Sequence, residues 1–184
     1  MTILHVDSSI NGDRSVSRAL TAATVAHLAA LTPSAKVVYR DLGATPLPHL
    51  AQIGAGDAGA LDEFLSADTV VIGAPMYNFG VPSQLKVWLD HIAVPGKTFR
   101  YGANGPEGLC ARQRVIVISS RGGIFTGASP YASFDHQESH LKAFFGFLGV
   151  WDLRFVRAEG LALGEEMQQK ALAAARADIA QLAA

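Results

Sequence analysis

The sequence predicts an α/β fold, a doubly wound five-stranded parallel sheet in the order 2-1-3-4-5 with helices on both faces. Three observations predict it. Five short apolar runs each end in a loop and are followed by a helical pattern. The runs are rich in Val and Ile, as expected of strands buried on both faces. Strand and helix alternate without a linker, repeat or low-complexity break, so one domain is expected over residues 1–184.

The elements follow in order. Thr2–Val6 (TILHV) is the first strand and ends in the polar loop DSSINGDRS. A helix is expected from about Ser17 to Leu31, with Val16, Leu20, Ala23 and Leu31 near one face. Lys36–Asp41 (KVVYRD) reads as the second strand, and residues 43–59, rich in Gly, Ala and Pro, as a long surface loop. DEFLSAD is a short helix ahead of the third strand, Thr69–Ala74 (TVVIGA). Pro82 suits a first helical turn, and Leu85, Trp88, Leu89 and Ile92 share a face beyond it. Arg114–Ser119 is the fourth strand, HLKAFFGFLG a helix, Asp152–Arg157 the fifth strand, and an Ala-rich helix closes the chain.

Composition narrows the function. Hydrophobic residues make up 49%, and 15 basic against 16 acidic residues leave a formal charge of −1. That balance predicts neither nucleic-acid binding nor a polybasic membrane patch. No apolar run reaches the roughly 18 residues of a spanning helix. The chain begins directly in a strand, without the basic and apolar segments of a signal peptide. Cys110 is the single cysteine, which excludes an intrachain disulfide and a thiolate metal cluster within one chain. A soluble cytoplasmic protein is expected.

Three motifs are set aside. GAGDAG, residues 54–59, matches a dinucleotide fingerprint, but no strand precedes it. His136 and His140 lie in HQESH, where the glutamate is misplaced for a zinc protease and no third ligand is evident. No G-x-S-x-G elbow exists, which disfavours a hydrolase. No metal ligands and no catalytic side chain are assigned.

The chemistry is expected in the loops at the carboxyl ends of strands one, three and four, which meet where strand order reverses. The first places Ser8, Ser9, Ser15 and Ser17 at a helix start, where hydroxyls and free amides bind phosphate. Ser15 or Ser17 as an ordinary helix cap is the competing reading. The second, GAPMYNFGVPSQLK, puts Met76, Tyr77 and Phe79 in a turn, with Asn78 among them. Turns are usually polar, so a flat apolar shelf is implied. The third, SSRGG, offers backbone amides at Gly122 and Gly123 beside the charge of Arg121, or else is an ordinary glycine turn. A flat heteroaromatic ring on a phosphate tail needs all three loops, and flavin mononucleotide (FMN) has that form.

These motifs carry a resemblance. SSINGDRSVS, APMYNFGVPSQLK, TFRYGANGPEGL, VISSRGGIF and AEGLALG occur in an order that resembles the FMN-dependent NADH azoreductases, also described as NADH:quinone oxidoreductases, of the flavodoxin-like class. The resemblance implies bound FMN, a homodimer, and ping-pong hydride transfer from NADH to quinones or aromatic azo compounds. Whether NADPH also serves is open. It implies that Ser9, Ser15, Ser17 and the Val16 backbone hold the phosphate. Met76, Tyr77, Asn78 and Phe79 would line the ring, and Ser120, Arg121, Gly122 and Gly123 its pyrimidine side. Phe99, Tyr101 and Phe125 would cover the other ring face or pack as ordinary loop residues. The chain departs from the pattern in a short segment after the second strand and in Phe125, where some members have histidine. The alternatives are a flavodoxin-like electron carrier, against which the near-neutral charge speaks, and a flavin-binding sensor without turnover. Steady-state NADH oxidation separates both from the enzyme.

Overall fold

The computed structural model describes residues 1–183. Seven strands form, β1 Thr2–Asp7, β2 Lys36–Asp41, β3 Thr69–Pro75, β4 Phe99–Gly102, β5 Gly105–Gly108, β6 Arg114–Ser120 and β7 Asp152–Ala158. The helices are α1 Val16–Leu31, α2 Ala58–Ser66, α3 Ser83–Ile92, α4 His136–Phe147 and α5 Glu165–Ala180. Five strands pair in parallel in the order β2-β1-β3-β6-β7. With β6 and β7 as the fourth and fifth sheet strands, this is the expected 2-1-3-4-5 order.

Alternate residues of the central strands face opposite layers. Leu4, Val6, Val70, Ile72, Val115 and Val117 meet Phe64 of α2, Trp88 of α3 and Phe145 of α4. Ile3, Val71, Ile116 and Ile118 meet Leu20 and Leu28 of α1 and Ile179 of α5. Trp88 is fully buried, so this ring is core and not surface.

Two helices begin earlier than their apolar pattern implies. α2 starts at Ala58 because Asp57 accepts the Ala60 N–H at 2.8 Å. α4 starts at His136 because Asp135 accepts the Gln137 and Glu138 N–H groups. Capping by a carboxylate carries each helix through a polar or small-residue first turn.

The antiparallel β4–β5 hairpin was not expected, because FRYGANGPEG has no strand alternation. It is held instead by packing and backbone bonds. Phe99 is buried against Phe147, with ring centroids 4.6 Å apart, so it is core and not a free site wall. Leu109 N–H donates to Thr98 O, and Cys110 N–H to Leu148 O, both at 2.9 Å. Gly108 lies so close to the end of α4 that a side chain there would strike Gly149 N and the Leu148 carbonyl carbon. Gly108→Ala is therefore expected to destabilise the fold by about 3 kcal/mol. That corresponds to a fall in melting temperature of roughly 6–12 °C. A melting curve unchanged from wild type would show that the hairpin is not seated there.

Candidate functional site

Three of the central strands, β1, β3 and β6, end side by side. Their loops enclose a cavity of about 190 Å³ lined by Ser9, Arg14, Ser15, Val16, Met76, Tyr77, Ser120, Arg121 and Gly122, among others. Several larger openings lie around it, and two of them extend from the second and third loops. One of about 860 Å³ runs past Tyr77 and Asn78 toward Lys86, His136 and His140. The other, about 530 Å³ and mostly apolar, runs past Gly123 and Ile124 toward Tyr131 and Leu163.

At the first loop, Ser15 is the N-cap of α1 and accepts the Arg18 N–H at 3.3 Å. Ser17 is fully buried, with its Oγ 3.0 Å from that of Ser15. Ser15 therefore caps the helix and also lines the cavity. The Val16 and Ser17 N–H groups make no intramolecular bond among the described residues. Helix-start amides carry partial positive charge. With the Ser9 and Ser15 hydroxyls and Arg14 on the same wall, this donor set fits a phosphate group.

The second loop is a strained turn. Tyr77 and Gly80 exchange both backbone hydrogen bonds, at 3.1 and 3.0 Å. Asn78 and Phe79 between them have φ of +48° and +70°, as a tight hairpin of the I′ type requires. Asn tolerates this region, whereas a bulky residue there is an outlier. Packing holds Phe79 in place, against Phe134 at 5.5 Å and Phe125 at 6.1 Å between centroids. The Phe79 ring thus turns toward these two rings and leaves Met76 and Tyr77 on the cavity wall. The Tyr77 hydroxyl reaches the first loop, accepting the Ile10 N–H at 3.3 Å and lying 3.4 Å from Ser9 Oγ.

The third loop differs from expectation in one respect. Arg121 lines the cavity, but its side chain is wholly buried and its guanidinium faces inward. It pairs with Asp135 at 3.0 Å, Glu138 at 2.9 Å and Glu159 at 3.0 Å, and donates from Nε to Ser119 Oγ and Gln137 Oε1. Its backbone N–H donates to Ala158 O, and its carbonyl accepts from Leu161 N–H. Each nitrogen of Arg121 thus has a partner inside the protein. The Gly122 and Gly123 N–H groups, by contrast, have no intramolecular partner among the described residues.

Sequence reasoning passed over the loops after the two edge strands, and both act as braces. At the end of β2, Asp41 receives both terminal nitrogens of Arg18, at 2.6 and 2.5 Å, while the same guanidinium donates to Ser9 O at 2.8 Å. A side chain at Gly43 would run into Ser9 O and Arg18 Nη2. The Arg18 hydrogen bonds hold Asp41 down at about 2, against the opposing effect of partial burial. Asp7, beneath the first loop, is pushed up by burial. The His5 ring 3.3 Å away, with hydrogen bonds from Thr21 and Tyr39, outweighs this and holds it below the ordinary range. Beyond β7, Glu159, Gly160, Leu161 and Ala162 bond to residues 121–126. Burial also raises Glu138, but the Arg157 and Arg121 guanidiniums more than offset it.

Comparison with known proteins agrees with this geometry. Residues 1–183 match a family described by its flavodoxin-like fold. The chain is 54% identical over 202 aligned positions to a Bradyrhizobium protein named FMN-dependent NADH:quinone oxidoreductase, covering 100% of each. It is 53% identical to a Sinorhizobium fredii protein of the same name, covering 98% of this chain and 96% of that one. Among solved structures it is similar to an FMN-dependent NADH-azoreductase from Bacillus anthracis in complex with FMN. There the TM-score is 0.87 at 26% identity, with 100% of each chain covered.

Two expectations follow from the site. Phe79→Gly is expected to be more stable than Phe79→Ala by about 1 kcal/mol, because both lose the ring but only glycine relieves the positive φ. Equal thermal stabilities would show that the turn is unstrained. Asp41 is held at about 2 against an ordinary 3.8, so its pairing stabilises the fold above that value and is lost as pH falls between the two. Arg18→Met should flatten the decline of stability across that interval, read from denaturation midpoints at stepped pH. An unaltered slope would count against the brace.

Proposed function

Because the chain belongs to the flavodoxin-like family of FMN-dependent NADH:quinone oxidoreductases and NADH azoreductases, we propose that it reduces quinones and aromatic azo compounds with NADH through bound FMN. One observation carries the reading. Free backbone donors and hydroxyls at the start of α1, the wall formed by Met76 and Tyr77, and the free Gly122 and Gly123 amides converge where strand order reverses.

The residues present fit FMN. Ser9, Ser15, Arg14 and the Val16 and Ser17 amides would hold its phosphate, with Ser17 supporting Ser15 from behind. Met76, Tyr77 and Asn78 would lie along its ring, with Phe79 fixing the turn that carries them. Ser120, Gly122 and Gly123 would face the pyrimidine edge. Bound FMN supplies the redox chemistry, accepting a hydride from NADH and passing the electrons to the acceptor in a second half-reaction. The protein's part is orientation and electrostatics. The Gly122 and Gly123 N–H groups are fixed before any ligand arrives, so they stabilise negative charge without reorganising. The 860 Å³ and 530 Å³ openings on either side give flat substrates room to approach.

The same reading takes the chain as one FMN-binding domain, cytoplasmic and homodimeric. No helix among the described residues is long and apolar enough to cross a membrane. Exposed Tyr101 and Phe147, both packed on Phe99, supply an apolar patch suited to a partner subunit. Sedimentation at micromolar concentration tests the dimer.

The purified protein is expected to be yellow, to bleach with anaerobic NADH, and to recover its colour when a quinone is added. A yellow protein that NADH does not bleach would favour an electron carrier. A colourless protein that FMN cannot reconstitute would sink the site. Gly122→Val supplies a local check. A Cβ there meets only Ala162 at 3.4 Å, so the fold admits it, while the branched side chain invades the cavity. FMN affinity should fall on the order of tenfold or more, with the melting curve of the apoprotein little changed.

A further inference from the structure

Arg121 brings a full positive charge up behind the Gly122–Gly123 edge and then surrounds it with carboxylates. Its side chain has no exposed surface, and Asp135, Glu138 and Glu159 all lie within 3.0 Å of its terminal nitrogens. The three carboxylates are not equivalent. Asp135 also caps α4 through the Gln137 and Glu138 N–H groups. Glu138 also holds Arg157 at 2.6 Å and Lys142 at 3.2 Å. Glu159 makes no close ion pair with a second cation among the described residues, and Arg157 feels its charge only at longer range. The Glu159 side chain is 12% exposed, and its other partners are neutral: the Phe125 N–H at 2.9 Å and the Thr126 hydroxyl.

Glu159 is thus the carboxylate of the three whose only close ion pair is with Arg121. We propose that Glu159 is a positioning residue that masks Arg121 and thereby sets how strongly the Gly122–Gly123 edge prefers reduced over oxidised FMN. This rests on the FMN reading above. Addition of a hydride brings two electrons and one proton, so the cofactor gains one unit of negative charge. A masked guanidinium offers that charge little attraction, and an unmasked one offers more. Every nitrogen of Arg121 already has an internal partner and its side chain is wholly buried, so its influence on a ligand passes through space and not through a bond. Glu159 also fixes Phe125 and Thr126, so charge and geometry must be separated by experiment.

Three variants separate them. Glu159→Gln removes the charge while keeping an oxygen for the Phe125 N–H. Glu159→Asp keeps the charge on a shorter arm. Thr126→Val removes one bond to Glu159 and leaves all charges in place. Apoprotein of each is titrated with oxidised FMN, and under argon with FMN held reduced by dithionite. E159Q is expected to shift the ratio of the two dissociation constants toward reduced FMN on the order of tenfold. E159D and T126V should stay within about twofold of wild type. An unchanged ratio in E159Q, or an equal shift in T126V, would overturn the masking role while leaving the flavin site standing. Should E159Q fold poorly, E138Q unmasks the same guanidinium from α4 and must shift the ratio with the same sign. Failure of the wild-type protein to bind FMN in either state would sink the functional reading, and this proposal with it.

Discussion

The carboxyl end of the sheet depends on one desolvated charge. Burying a guanidinium costs several kcal/mol unless its donors and charge are met, and in Arg121 they are met from every direction. Asp135 and Glu138 come from the start of α4, Ser119 from β6, Glu159 from beyond β7, and Gln137 completes the set. Gln137 also donates to Ala74 O on β3. The ends of three strands and the first turn of a helix are thereby fixed to one planar group. The two glycines that follow Arg121 inherit their placement from it, and their unpaired amides are the part of the loop that faces outward.

A second charged group plays the matching part on the other side of the site. Arg18 lies in the first turn of α1 and joins Asp41, at the end of β2, to the carbonyl of Ser9. The apolar core supports the sheet from both faces but ends below the loops. What shapes the site is therefore polar. The two outer loops of the site are each braced from the neighbouring edge strand through an arginine, the serine loop by Arg18 and the glycine loop by Arg121. The division of labour follows from geometry. A group that is saturated with internal partners is rigid, and a group that is to bind something must keep its own donors free.

Much of this was legible in the sequence because the signals are local. The β-branched runs located all five strands of the main sheet, and their order placed the serine, aromatic and glycine loops together. The start of α4 was missed because its first turn, HQES, is polar. The spacing of Asp135 and Glu138 is nonetheless that of a capping box, and would have marked it. The hairpin of residues 99–108 was illegible for a different reason: tertiary contact with Phe147 and the end of α4 forms it, and propensity does not. Likewise Asp41 and Glu159 are single carboxylates, one ending an edge strand and one just past the other. Their importance comes from arginines 23 and 38 residues away in the chain, and pairings at such distances leave no pattern in the sequence.

The Tyr77 hydroxyl has a consequence of another kind. It belongs to the aromatic turn yet touches the serine loop at Ile10 N and Ser9 Oγ. Two loops that share an atom in this way do not fluctuate independently. A ligand that spanned both loops would therefore meet two surfaces already joined through a single phenol oxygen, and ordering one of them would lessen the entropy left to lose in the other.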